Sequence, residues 1–166
     1  VNNSILDLEE SVWDRVFAIN VKGGIFVLKA AVPHLIKNGW GSIVLMGSDQ
    51  CVIGKRNSLT YGASKGSIGQ MAKSLALDLA PHNIRVNVVC PGTIDTPLGR
   101  RAMQRRADRD FRGDVERAIA EESRAYPLGR IGTSEEIAEA VFFLAVRGCD
   151  FMTGSQVVMD GGLSAG

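Results

Sequence analysis

The 166-residue sequence is short of the features that mark specialised chains: it has three cysteines, two histidines and only 6% aromatic residues. Cys51, Cys90 and Cys149 are far apart and form no C-x-x-C. That excludes a disulfide scaffold and fits a reducing, cytoplasmic setting in which the three act as small buried apolar residues. His34 and His82 stand at wide spacing in polar flanks. With no His/Cys/carboxylate set at ligand spacing, no metal site is expected. No uninterrupted run of about 18 apolar residues occurs, so neither a transmembrane helix nor a membrane partner is expected. The start, Val1-Asn2-Asn3-Ser4, is no signal peptide. One-sided charge is missing too: 19 Lys+Arg stand against 18 Asp+Glu, a net of +1. That speaks against a nucleic-acid partner.

What is present is a globular composition, 45% hydrophobic and 22% charged, of a length that suits one domain over 1–166. Leu6, Leu8, Val12, Trp13, Val16, Phe17 and Ile19 recur at near-helical spacing, with Asp7 or Ser11 as possible caps. The pattern runs on through Leu35, weakened or bent at Gly23-Gly24 and Pro33. Ser42 to Met46 is a short apolar run between glycines, which reads as a strand buried on both faces. A helix is predicted from Tyr61 to Ala80, a strand from Ile84 to Cys90, a capping box at Thr133 to Glu136 opening a further helix, and a strand from Gly154 to Asp160. Between Leu98 and Arg117 there are seven arginines and four acids, the pattern of a mobile or solvated helical excursion. Strands alternating with helices predict an α/β fold with a parallel sheet and right-handed crossovers. In such a sheet, ligands bind beyond the carboxyl ends of the strands. Gly47-Ser48 and Pro91-Gly92-Thr93 should therefore line one crevice.

Tyr61-Gly62-Ala63-Ser64-Lys65 places a lysine one helical turn after a tyrosine, on the same face. A free phenol ionises near pH 10. A neighbouring ammonium and a helix N-terminus both favour phenolate, which would tune Tyr61 for proton exchange with an alcohol. Taken alone the pair is a common surface motif. Ser48, 13 residues earlier and just past a buried strand, adds a hydroxyl that can hold a substrate oxygen beside the phenol.

With those residues the sequence resembles the short-chain dehydrogenase/reductase family. The likeness extends in order through Asn20-Val21-Lys22-Gly23, Gly41 to Val44, Ser48 to Lys65, Ala76 to Asn87, Pro91 to Pro97 and Asp160-Gly161-Gly162. It implies a Rossmann-like, doubly wound parallel sheet, of which the chain would be the C-terminal part. It further implies an NAD(P)-dependent oxidoreductase that interconverts a secondary alcohol and a ketone by hydride transfer. Tyr61 then resembles the general acid/base and Lys65 its partner, also bonding the nicotinamide ribose. Ser48 resembles the residue that orients the substrate oxygen, and Asn20 the helix-kink asparagine that holds a relay water. Pro91, Gly92, Ile94 and Thr96 resemble the loop that receives the nicotinamide carboxamide. Residues 98–126 match the substrate lid in position. Within that region Leu98, Met103, Phe111 and Tyr126 are candidates for an apolar wall. Gln50, Arg100 and Arg101, with Arg105 or Arg106, are candidates for contact with a small polyol, sugar acid or hydroxy acid, since a guanidinium fork suits a carboxylate.

The family's glycine-rich turn, Thr-Gly-x-x-x-Gly-x-Gly, is not found: Gly62, Gly66 and Gly69 follow Tyr61 within a helix, not a strand. The resemblance implies that roughly 90 residues of a family chain of about 250 would precede this sequence. NAD and NADP are both open as cofactor, and the strand at Ser42 to Met46 should expose an apolar edge. Small residues on the Tyr61 helix, read through the resemblance, imply a homo-oligomer, most simply a tetramer. The alternative is a non-catalytic oligomeric or regulatory module of the same fold.

Overall fold

The computed structural model describes residues 3–146 and 149–166, so Val1 and Asn2 lie outside it. A continuous helical rod opens the chain: α1 (Glu10–Phe17), a π-helical segment (Ala18–Gly23) and α2 (Gly24–Asn38). Then follow β1 (Gly41–Met46), α3 (Leu59–Leu79), β2 (Ile84–Pro91), α4 (Pro97–Asp110), α5 (Val115–Ser123), α6 (Ser134–Val146) and β3 (Gln156–Met159). The three strands form a parallel sheet in the order β1-β2-β3. Ser42 pairs with Arg85 and Met46 with Val89, while Pro91 pairs with Met159. Gly47, Gly92 and Asp160, each next after its strand, therefore come to one rim.

The strands are mostly apolar because both faces are covered. Ile43, Val86, Val88 and Cys90 pack against Ile68, Ala72, Ala76 and Leu79 of α3, with Leu28, Val32 and Leu35 of α2 alongside. On the other face Val89 meets Ile137 and Leu144 of α6, together with Val44, Val157 and Met159. Burial of each central valine stabilises the fold by about 1.5–3 kcal/mol. Asn87, fully buried, donates to Met152 O at 2.8 Å and accepts from Ser155 N at 3.0 Å, which fixes the approach to β3. Among the described residues β1 pairs on one side only, so its outer edge is open and Met46 is half exposed.

Several local expectations change. Asp7 does not cap α1: its carboxylate accepts from Ser4 N and Ser4 Oγ, tightening the preceding turn, and Glu9 takes the cap position without a side-chain bond. The expected weak point at Gly23-Gly24 is absorbed by the π-helical turns, and the helix continues through Pro33 to a left-handed Gly39. The capping box forms, with Thr133 N donating to Glu136 at 2.8 Å and Glu136 N to Thr133 Oγ1 at 3.3 Å. By length and composition alone, the rod Glu10–Asn38 is long and apolar enough to cross a membrane, with a mean hydropathy of 1.5 in its most apolar stretch. An uninterrupted-run criterion misses it because Asn20, Lys22 and Lys29 break the run while leaving the average high. In this fold the rod packs on α3 and β1.

Candidate active site

The rim of the sheet opens into a cavity of about 620 Å³. Its walls come from three loops: Met46 to Gln50 after β1, Pro91 to Thr96 after β2, and the turn that leads into α3. Tyr61 and Lys65 face it from α3, and Leu98, Ala102, Met103 and Arg105 face it from α4. The strand-end serine, the tyrosine and the lysine thus meet in one space, although 17 residues separate Ser48 from Lys65.

The phenol is half buried. Burial pushes the Tyr61 hydroxyl above its ordinary ionisation range, and the neighbouring Ser48 hydroxyl pulls it part of the way back. Lys65 places its ammonium 5.6 Å from the Tyr61 ring centre and donates to Met46 O at 2.9 Å. Burial holds the Lys65 amine below its usual value. The expectation that Lys65 brings the phenol down is not met: the favourable charge comes from Lys55, and desolvation outweighs it. Asn20 is in the π-helical segment and donates to Ser64 Oγ at 3.0 Å; Ser64 in turn donates to Tyr61 O at 2.7 Å. Asn20 thus ties the rod to the α3 turn that carries the phenol, outside the cavity lining.

The loop after β2 is shaped by close approach. A Cβ at Gly92 would meet Tyr126 Cε1 at 2.9 Å and Asp160 Cα at 3.1 Å, so only glycine fits. Ile94 and Gly132 form an isolated parallel bridge, in which Asp95 N donates to Gly132 O and Gly132 N to Thr93 O. That pattern leaves the Ile94 N–H pointing the other way. Thr96 caps α4 by accepting from Gly99 N at 3.0 Å. The hydroxyl expected to be reserved for a ligand is therefore already a helix cap, although Thr96 still lines the cavity.

The lid region is two packed helices, with Met103, Ala107 and Ala118 buried. Its arginines are largely paired within the region. Arg100 forms a two-bond pair with Asp95 and Arg101 donates to Pro97 O, and both are exposed outside the cavity. Those two candidates for substrate contact are thereby corrected: the first turn of α4 aims them at its own N-terminal loop. Arg106 pairs with Glu122, and Arg109 with Asp110. Arg105 lines the cavity and has no carboxylate partner among the described residues. Leu98 and Met103 form part of the wall as expected. Phe111 instead lies between the guanidinium groups of Arg106 and Arg117, at 5.8 and 5.4 Å. Tyr126 is buried, its hydroxyl accepting from Thr93 N at 2.9 Å.

Lys55, which sequence reasoning passed over, stands in the cavity wall with Asp49 and Gln50. Asp49, only 1% exposed, accepts from Ser48 Oγ at 2.8 Å and ion-pairs with Lys55 at 2.6 Å. The pairing lies in a segment without periodicity, so the only available signal was two opposite charges six residues apart. Gln50 also lines the cavity, and its Oε1 is buried without a hydrogen-bond partner.

Such a constellation at the carboxyl edge of a parallel sheet belongs to a fold of the Rossmann type. A family model described as enoyl-(acyl carrier protein) reductase matches residues 1–164. The chain belongs to the short-chain dehydrogenase/reductase family. It is 37% identical over 164 residues to 2-(S)-hydroxypropyl-CoM dehydrogenase 3 of Xanthobacter autotrophicus, which covers 98% of this chain and 61% of that protein. It is 37% identical over 163 residues to 2-keto-3-deoxy-L-fuconate dehydrogenase of Xanthomonas campestris, covering 97% of this chain and 52% of that protein. The ligand-free aldohexose dehydrogenase of Thermoplasma acidophilum superposes with a TM-score of 0.92 at 38% identity, over 100% of this chain and 64% of that one. An NAD+-bound xylitol dehydrogenase gives 0.89 at 33% identity, over 98% and 64%. The chain thus spans about half to two thirds of the length of the relatives it matches.

Proposed function

We propose that this chain carries the catalytic portion of an NAD(P)-dependent dehydrogenase that interconverts a secondary alcohol and a ketone. The observation that carries the reading is the convergence of Ser48, Tyr61 and Lys65 on the cavity that the Pro91–Thr96 loop also lines. The loop suits a nicotinamide end: Gly92 lets it pack closely on Tyr126 and Asp160 at the cavity edge, and Ile94 offers a backbone donor beside it. Lys65 is placed for the ribose hydroxyls. When bound, the dinucleotide supplies or accepts the hydride. Tyr61 holds the proton at its hydroxyl oxygen and gives it to a carbonyl oxygen or takes it from an alcohol. Ser48 holds that oxygen beside the phenol. Asn20 keeps the α3 turn in register through Ser64.

The substrate class we favour is a small polyol, sugar acid or hydroxy acid. Relatives named for hydroxypropyl-CoM, a deoxy keto sugar acid and an aldohexose support it. Within the cavity, the unpartnered Gln50 Oε1 and the unpaired Arg105 suit a hydroxyl donor and an anion. The protein is read as cytoplasmic and homo-oligomeric, most simply a tetramer. In support, Ile19, Ile25, Phe26 and Val27 stand exposed along the rod. Sedimentation tests this: a monomeric mass for the full-length protein would contradict it. The functional test is nicotinamide absorbance turnover by the full-length protein with polyols, sugar acids and hydroxy acids, using NAD and NADP in parallel. No turnover on any of them, with dinucleotide binding also absent, would leave the non-catalytic module as the reading.

A further inference from the structure

Cys51 and Cys90 are far apart in the sequence, yet the fold brings their sulfurs to one point. Gly47 N donates to Val89 O at 2.8 Å, which lays the start of the loop after β1 alongside the end of β2. The 3-10 helical turn Asp49–Cys51 then folds Cys51 back toward Gly47. A Cβ on Gly47 would stand 2.8 Å from Cys51 Sγ and 3.1 Å from Cys90 Sγ, so both sulfurs border the space that glycine leaves open. Both thiols are free; Cys51 is partly exposed and Cys90 wholly buried. The proposed reaction uses neither.

We propose that Cys51 and Cys90 form a redox-active dithiol beneath the catalytic loop: Cys51 attacks a small-molecule disulfide, and Cys90 resolves the product into a Cys51–Cys90 disulfide. In the first step the Cys51 thiolate bonds to one sulfur of the small disulfide, whose S–S bond breaks and releases one thiolate. In the second, Cys90 gives up its proton to that thiolate and its sulfur displaces the other half from Cys51. Two protein thiols are oxidised and one disulfide is reduced to two thiols. The order follows from access, since only Cys51 meets solvent. The hydrogen bond from the Cys90 thiol, with the Ser48 backbone and the Lys65 charge, also holds Cys51 below the ordinary thiol range, while the same bond and burial push Cys90 up. The attacking species in such exchange is the thiolate.

Closure reaches the site already described. Cys51 Sγ donates to Lys65 O at 3.1 Å, and Cys51 N to Ser48 O at 2.8 Å. A disulfide draws the sulfurs to about 2 Å and consumes the S–H that holds the Lys65 carbonyl. The α3 turn bearing Lys65 is thereby loosened from the loop bearing Ser48. That oxidation lowers turnover rests on the proposed function; formation of the bond does not.

The test treats the full-length protein with a large excess of oxidised glutathione. Peptide mass mapping without reduction should find Cys51 joined to Cys90, with two hydrogens lost, and dithiothreitol should undo the bond. Cys90→Ala should stop at one glutathione on Cys51, and Cys51→Ala should leave Cys90 unmodified. Cys90→Ser and Cys51→Ser replace them if an alanine protein fails to fold. A lasting glutathione adduct on Cys51 of the unsubstituted protein, no reaction at Cys51, or a bond from either cysteine to a third one would overturn the proposal. Turnover should fall by about 10-fold or more on oxidation and return on reduction, because small displacements of catalytic groups cost that much. Full turnover by the joined protein would overturn the control of the reaction. The mapping needs no turnover, so a failure there is distinct from a failure of the proposed function.

Discussion

The loop and helix from Ser48 to Lys65 and the helical pair from Pro97 to Ser123 both border the cavity, yet they treat polar groups in opposite ways. In the first, few charges are present and all but the exposed Arg56 are turned inward: Asp49 is buried against Ser48 and Lys55, and Tyr61 and Lys65 are desolvated. In the second, charges are abundant and mostly cancel one another at the surface, as in Arg100 with Asp95, Arg109 with Asp110 and Arg124 with Glu121. Exposed pairs of this kind contribute little to stability, about 0–1 kcal/mol each. The number of arginines in a lid is therefore a poor guide to anion recognition. What matters is which guanidinium lines the cavity without an acid, and among the described residues that is Arg105.

This contrast can be broken at several points. The largest effect is expected from Tyr61→Phe in the full-length protein. Turnover should fall by about 10²–10⁴-fold, the usual worth of a positioned acid/base, with the circular dichroism spectrum unchanged. Retained activity would remove Tyr61 from the chemistry. Next come the packing contacts of the rim. Gly92→Ala forces a methyl group toward Tyr126 and the Asp160 backbone and should cost about 1–3 kcal/mol in urea unfolding. Among the arginines, Arg105→Ala should raise KM for a carboxylated substrate by about 10-fold or more, consistent with a charged hydrogen bond of roughly 1.5–3 kcal/mol. Arg100→Ala and Arg101→Ala should leave KM unchanged within twofold and unfolding free energy within about 0.5 kcal/mol. Equal effects at all three positions would erase the distinction between paired and unpaired guanidinium groups.

The smallest effect belongs to the start of α6. Arg130 and the Thr133 N–H hold the Glu136 carboxyl down to about 2, from an ordinary value of 4.5. The folded state thus binds this proton less readily than the unfolded chain. The contribution is complete above about pH 4.5 and disappears as pH falls toward about 2. Glu136→Gln should flatten the acid limb of a thermal-stability profile in that window by slightly lowering its neutral plateau, and leave the stability near pH 2 nearly unmoved.

The strands were legible in the sequence because each is a largely apolar run close to glycines or prolines, and burial on both faces leaves few polar residues, such as Arg85 and Asn87, to blur it. Tyr61 and Lys65 were legible through four-residue helical spacing, and Ser48 through its place just after a strand. Asp49 and Lys55 were not, since an irregular segment has no period and only the folded loop brings the two together. Thr96 carries two readings for a related reason: a threonine before proline suits a ligand contact or a helix cap, and in the fold it caps α4 while lining the cavity. Arg100 and Arg101 were placed in the site by composition, whereas the direction of a helix's first turn sends them elsewhere. The π-helical segment left no signal beyond the glycines at its end.

That segment has a consequence for the rod as a whole. Each residue of an ordinary helix advances the azimuth by about 100°, and a π turn accommodates one residue more than the normal repeat. Ala18 to Gly23 therefore works as a phase shifter between two lengths of shaft: upstream and downstream stripes that a plain helical wheel would misalign are brought to bear on the same body. Inserting a single residue into the α-helical turns just after it would leave the composition almost untouched, yet it would turn the rest of α2 by about 100° out of mesh with the sheet.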